Sequence, residues 1–317
     1  MHADWAQGEK VIPVLFEEMD GIWLHMQSGN HKKMKKQEMK VFTMYEGWDK
    51  EQKKRSSLVE KTMFAGMESS QIFHEKREAL IEKKYNADEI QQRILNGDGG
   101  SWIRETYDPD AIFRLDRYHI HQEILRKISD RDAQREARKL FEEEKITELL
   151  EFILVYADSV ETTDEKDKRS QKARELYHYL NNKDGLLPYQ KQGRKIPEPR
   201  EGILYKNMGV QESQNCTVII MRMKHRRMRW SAKGANNLAK VLCCKENKEL
   251  CSTIERYTDG LIFYARMNEV IETLSAAKAQ KKEGKGNPYV DVIRGHVSLL
   301  DAATSASRKV FRDAFIR

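Results

Sequence analysis

The feature that most constrains this chain is a change of period. Up to residue 67 its apolar residues come in extended runs; from 119 to 181 they fall at helical spacing among dense charge. Such a chain builds a sheet from its first part and a helical layer from its second. Residues 11–18 carry Val, Ile, Leu and Phe, and 21–27 continue with Ile22, Leu24 and Met26, which predicts one long strand or one interrupted at Asp20-Gly21. A basic turn, 32–36, leads to a second strand over 38–45, and a third extended run spans 58–67. Short connections between successive strands predict an antiparallel meander.

Residues 69–85 read as an amphipathic helix capped by Ser69 or Ser70. A short strand at 91–95 ends in the turn-forming Asn96-Gly97-Asp98-Gly99-Gly100, followed by a helix over 101–106 and a last strand over 111–115. The order is strand, strand, strand, helix, strand, helix, strand. It predicts a ribonuclease-H-like α/β fold, a mixed sheet with antiparallel strands first and parallel ones after the crossover helix. Helices are expected over 131–145, 146–155 and 166–180, then a Gly/Pro-bearing loop over 184–199. Further helices are expected over 212–229 and 231–244, the second capped by Ser231, and beyond them over 255–280 and 290–316. Four segments follow: 1–130 as the first part of the core, 131–205 as a helical insertion and loop, 206–246 as closing helices, and 247–317 as a helical tail.

Three acidic positions sit at the edges of these elements. Asp20 lies beside Gly21 on the first strand, Asp98 stands between glycines after a strand, and Glu212 starts a helix. A two-metal phosphodiester-cutting site needs this, because magnesium takes hard oxygen ligands from separate segments. A strand bend, a Gly-Asp-Gly turn and a surface Glu would give the same three patterns, and for Glu212 spacing alone favours the surface residue. Asp116 and His119 form an Asp-x-x-His pair on one face of a helix start; His119 could act near a phosphate, or Asp116 could cap the helix beside a packed His. His121, two residues on, diverges from that face, which makes joint metal binding with His119 weak.

The chain carries seven more Lys and Arg than Asp and Glu, an excess that suits a polyanionic partner without requiring one. Its densest basic run is Arg222-Met223-Lys224-His225-Arg226-Arg227-Met228-Arg229-Trp230, with five cations in nine positions and a terminal aromatic for stacking on a base. On a regular helix Asn215, Ile219 and Arg222 share roughly one face, which would point Asn215 and Arg222 at DNA. Lys32 and Lys33 are a second candidate contact. No apolar stretch is long enough to span a membrane, and the N-terminus lacks the features of a signal peptide. Four cysteines, three of them at Cys243, Cys244 and Cys251, suit reduced thiols in the cytoplasm; the absence of C-x-x-C and nearby histidines argues against zinc.

Taken together, several segments resemble the ISLre-type insertion-sequence transposases of bacteria, relatives of the Mutator-like group. They are Val14 through Gln27, Tyr45-Glu46-Gly47-Trp48, Asn96 through Ile103, Leu115-Asp116-Arg117-Tyr118-His119, Glu212 through Lys224 and Trp230 through Ala235. The resemblance implies a ribonuclease-H-like DDE catalytic core with a helical insertion before the last acidic residue. By position it makes Asp20, Asp98 and Glu212 the metal-holding triad, with Asp116 and His119 as the C/D-x-x-H motif. It implies two Mg²⁺ or Mn²⁺ ions, cleavage at transposon ends, strand transfer into target DNA, and a homo-oligomer near the bacterial nucleoid. Relatives in that group carry a long end-binding region ahead of the first strand, which here begins about ten residues from Met1. A cleavage-inactive DNA-binding remnant and a ribonuclease-H-like nuclease without strand transfer are the alternatives.

Overall fold

The structure, a computed structural model, describes residues 8–27, 36–51, 57–104, 110–162, 167–181, 185–225 and 228–257. The chain divides into two compact units, Met1–Leu250 and Cys251–Arg317. Lys32, Lys33, Arg226 and Arg227 lie outside the described residues, as do the expected helix over 290–316 and all but the first three residues of that over 255–280.

Five strands form the main sheet: β1 (Val14–His25), β2 (Lys36–Tyr45), β5 (Thr62–Gly66), β6 (Gln92–Gly97) and β7 (Ile112–Leu115). Their order is β5-β2-β1-β6-β7, with β1 central. β2 and β5 pair antiparallel, and β6 and β7 run parallel to β1. This is a mixed α/β fold. Asp20-Gly21 does not interrupt β1, which pairs with β2 continuously from Phe16 to His25.

The third expected strand splits in two. Glu60 adopts φ 54°, a left-handed turn that an extended ribbon cannot hold. The part before it, β4 (Leu58–Val59), joins a small sheet with β3 (Gly47–Asp49) and β8 (Ile203–Leu204). Those short strands were not anticipated, because two or three residues carry no readable period.

Alternation along β1 sorts its side chains onto two faces. Leu15 and Met19 pack with Phe42 and Leu95 under Phe73 and Ile81 of α1 (Ser70–Lys84), whose N-cap is Ser69. The opposite face changes character along the strand. Val14 and Phe16 join an aromatic cluster with Tyr45, Trp48 and Tyr189, and Ile22 and Leu24 join an aliphatic one. Between the two clusters the same face carries Glu18 and Asp20.

After α2 (Ser101–Arg104) and β7, four helices follow: α3 (Arg117–Lys127), α4 (Arg131–Glu142), α5 (Ile146–Ser159) and α6 (Arg169–Asn181). They bury their own core, including Ile120, Ile124, Leu140, Phe141, Ile153 and Leu176. Their charged residues occupy the outer faces; Asp132 and Arg135, for example, have side chains 84% and 78% exposed.

The helix expected over 212–229 is corrected. It consists of α7 (Gln211–Gln214), a π-turn (Asn215–Ile220) and α8 (Met221–Met223). Of its buried residues Gln211, Asn215, Val218, Ile219 and Met223, all but Val218 recur every fourth position, wider than the α-helical period. The inserted turn therefore puts Met223 in the core and Arg222 outside, off the face that 3.6-residue spacing assigned it. Trp230, seven residues past the end of α8, bridges Met26 in parallel. Next come α9 (Ala232–Glu246), capped by Ser231, and α10 (Leu250–Tyr257). Cys243 is buried in α9 and Cys244 half-buried, while Cys216 and Cys251 are exposed.

One buried ion-pair network stiffens the α1 face. Arg93 Nε lies 2.6 Å from Glu17 Oε1, its Nη1 2.8 Å from Glu78 Oε2, and the fully buried Arg77 reaches Glu78 at 2.6 Å. Removing one partner leaves a buried charge uncompensated. Arg93→Met is therefore expected to cost about 3–5 kcal/mol. Urea unfolding measures it, and a loss below about 1 kcal/mol would mean that Arg77 alone suffices for Glu17.

Candidate metal centre

The parallel register lines up the candidate residues. Met19 pairs with Gly97, and Gly97 with Leu115. Asp20, Asp98 and Asp116 each follow one residue later, at the carboxyl ends of adjacent strands, where open α/β sheets gather their ligand sites. Two residues earlier, Glu18, Asn96 and Arg114 form a second row on the same face.

Three side chains converge there. Ligand atoms of Asp20, His119 and Glu212 all lie within 4.8 Å of one another, the one such His/Cys/Asp/Glu group among the described residues. His119 Nε2 is 3.7 Å from Asp20 Oδ1 and 3.5 Å from Glu212 Oε1. They come from β1, the first turn of α3 and α7, elements separated by about a hundred residues each. Asp20 is nearly buried, while His119 and Glu212 keep 28% and 31% of their side chains open to solvent.

The charges are crowded. Burial pushes the Asp20 carboxyl up to about 7, against the pull of the Gly21 N–H, and the charges of Asp98, Asp116 and Glu38 add to the rise. Burial and the Asp20 charge raise Glu212 as well, while His119 and Lys224 pull it back. A divalent cation would relieve this repulsion. The two carboxylates are hard oxygen donors of the kind that Mg²⁺ or Mn²⁺ accept.

Asp98 stands next to this cluster and outside the trio. Its Oδ1 accepts the Gly100 N–H at 2.7 Å, in a turn that Gly99 closes at φ 77°. Asp116 is buried and fully engaged: Oδ1 accepts the Tyr118 N–H at 2.7 Å, capping α3, and Oδ2 accepts Asn96 Nδ2 at 2.6 Å. It orients the turn that carries His119. His121 points elsewhere, to Glu142 at 2.7 Å.

Two expected DNA contacts are corrected. Asn215 is buried, donating from Nδ2 to Asp20 Oδ2 at 2.6 Å and accepting from Gln211 Nε2 at 2.9 Å. With both ends of its amide committed, it supports the carboxylate rather than a phosphate. The Trp230 indole Nε1 donates to the Met223 carbonyl at 2.8 Å, and the ring packs on the aliphatic cluster, so it is not free to stack. Arg222, Lys224 and Arg229 are exposed.

Sequence reasoning missed Glu18, which is fully buried and receives Tyr45 Oη–H at 2.6 Å and three consecutive backbone N–H groups, those of Gly209, Val210 and Gln211. Burial pushes its carboxyl up, Asp116 adds to this, and the Tyr45, Gly209 and Val210 donors oppose it. The available signal was a polar pair, Glu17-Glu18, inside an otherwise apolar strand. Nearby Arg114 is also buried, with Nε and Nη1 lacking hydrogen-bond partners.

An uncharacterised protein family, UPF0236, matches residues 4–256. The chain belongs to UPF0236. One UPF0236 protein of Caldanaerobacter subterraneus subsp. tengcongensis is 26% identical over 172 residues, covering 53% of this chain and 34% of the relative. Another from the same organism, whose name strings together eleven locus designations, is 25% identical over 174 residues, 53% of this chain and 33% of its own length. The match thus spans about a third of these UPF0236 relatives. The family match takes in every residue of the carboxylate–histidine cluster. No described helix of this UPF0236 member is long and apolar enough to cross a membrane.

Proposed function

We propose that this chain is the catalytic core of a DNA transposase that cuts transposon-end phosphodiesters and transfers the strand into target DNA. The convergence of Asp20, His119 and Glu212 at the carboxyl ends of parallel strands carries this reading. The strand order β5-β2-β1-β6-β7, two antiparallel pairings followed by two parallel ones, agrees with a ribonuclease-H-like core. So does the helical layer between β7 and α7. A relative's name with eleven locus designations from one organism fits a gene that copies itself.

Asp20 and Glu212 would hold divalent ions, with Asp98 turning from Gly100 to complete the set. Held there, Mg²⁺ or Mn²⁺ would supply Lewis-acid stabilisation of charge on a phosphate and activation of the attacking water or 3′-hydroxyl. His119 stands between the carboxylates, partly open to solvent, where it can donate to a phosphate oxygen. Asn215 keeps one Asp20 oxygen fixed toward the π-turn. The exposed Arg222, Lys224 and Arg229 follow Glu212 in sequence and give the flanking DNA its counter-charge.

The test uses the full chain, Mn²⁺, and a duplex carrying the DNA that borders its own gene. Metal-dependent nicking followed by joining of the pre-cut end to a plasmid is the expected result. Nicking without joining would reassign the chain as a nuclease, and binding without nicking as a DNA-binding remnant. Replacing Arg222, Lys224 and Arg229 together with Gln should flatten the plot of log affinity against log salt by about 2–3 in slope. An unchanged slope would remove this segment from the DNA interface.

A further inference from the structure

We propose that Glu18 is a positioning residue, a buried carboxylate that fixes Glu212 and His119 against Asp20. This rests on the metal-centre reading above, and no role in that reading falls to Glu18 itself.

Its two oxygens are filled. Oε1 accepts Tyr45 Oη–H at 2.6 Å, Gly209 N–H at 3.1 Å and Val210 N–H at 3.2 Å. Oε2 accepts Gln211 N–H and Asn96 Nδ2–H, both at 3.1 Å. An ionised carboxylate has about four lone-pair sites, so these five donors saturate it. The side chain has no capacity left for substrate or ion, and no solvent reaches it.

Three of the five donors lead into the element that carries Glu212. Gly209, Val210 and Gln211 lead into α7, and Glu212 is the next residue. Val210, at the N-cap position, offers no side-chain cap, so the first amides of this turn are met from β1, some 190 residues earlier in the chain. Gly209 has φ 124°, a conformation that L side chains rarely adopt, and this lets successive N–H groups face one acceptor.

The Asn96 arm reaches the other side. Its Nδ2 also donates to Asp116 Oδ2 at 2.6 Å, and Asp116 caps the turn that presents His119. Glu18 itself lies two residues before Asp20 on the same face of β1. One carboxylate therefore ties the strand of Asp20 to the turn of Glu212 directly and to the helix of His119 through Asn96 and Asp116. An apolar residue would fill this volume without the penalty of a buried charge, but it could not collect donors from three segments.

Glu18→Gln tests the proposal in the full chain without DNA. A Gln amide keeps one acceptor and turns an N–H₂ toward donors that need an oxygen. Hydrogen exchange of the Gly209, Val210 and Gln211 amides is expected to accelerate about tenfold or more, with the β1, β2 and α1 amides unchanged. Mn²⁺ affinity, read from the electron paramagnetic resonance of free Mn²⁺, should fall about 10–100-fold. Glu212→Gln should also lower it, and the two losses should combine to less than their sum in the double variant, because one of the two arms of Glu18 acts through Glu212.

Unchanged exchange of the three amides in a folded Glu18→Gln protein would overturn the proposal, as would additive losses of affinity in the double variant. Wild-type protein that takes up no Mn²⁺ would instead sink the metal-centre reading, and amide exchange would still decide the role of Glu18. Should Glu18→Gln not fold, Tyr45→Phe removes one donor and keeps the ring on Phe16. It is expected to speed exchange of the same three amides about threefold, and no change there overturns the proposal.

Discussion

Asp20→Asn is expected to lower metal-dependent cleavage by about 10³-fold or more and yet to stabilise the metal-free protein at pH 8. The first effect follows from the loss of a charged ligand at the centre of the trio. The second follows from burial. The folded chain holds the Asp20 proton until about pH 7, whereas the unfolded chain releases it near the ordinary value of 3.8. A carboxyl whose folded pKa is raised contributes stability below its unfolded pKa and loses that contribution as pH climbs through the folded one.

Between about pH 4 and pH 7 the wild-type protein therefore forfeits stability, on the order of a few kcal/mol. Asn carries no charge to desolvate and escapes that loss. Urea unfolding in EDTA at pH 5 and pH 8 separates the two proteins. Wild type should weaken on going to pH 8 while Asp20→Asn holds. Equal pH dependence would show that Asp20 is not the strained group, and retained cleavage would remove it from the metal site.

Asp98→Ala should reduce cleavage by about 10²-fold or more while leaving DNA affinity within about twofold. Its carboxylate sits on its own Gly100 amide, outside the three converging side chains, but close enough for its charge to raise Asp20. A cation arriving at Asp20 and Glu212 attracts Asp98 more strongly than one N–H does. The Asp98 side chain stands between glycines and gives up its Gly100 hydrogen bond to move. Cleavage at wild-type rates by a folded Asp98→Ala protein would leave Asp20, His119 and Glu212 as the whole ligand set.

What the sequence revealed depended on how each feature is encoded. Strand alternation and the glycine-flanked turn after residue 95 are local signals, so β1, β2, β6 and the position of Asp98 could be read directly. The row formed by Asp20, Asp98 and Asp116 depends on parallel register, which no local window contains. The π-turn at Asn215–Ile220 defeated helical spacing, because one inserted residue per turn moves Arg222 off the face of Asn215. Asn215 and Trp230 were misplaced for a related reason: a polar amide or an indole near a basic run looks exposed until its partner is known. Those partners, Asp20 and the Met223 carbonyl, lie 195 and 7 residues away.

The alternation of β1 has a further consequence. Glu18, Asp20, Ile22 and Leu24 share one face, and the strand is paired on both sides. Slipping β1 by a single residue would turn the apolar pair toward α1 and carry both carboxylates away from α7 in the same movement. A one-residue slip therefore cannot keep a sound core and lose only the carboxylate cluster, or the reverse. Whatever enforces the pairing of this one strand during folding also decides whether Asp20 and Glu18 reach α7, so the core and the carboxylate cluster are assembled in one event.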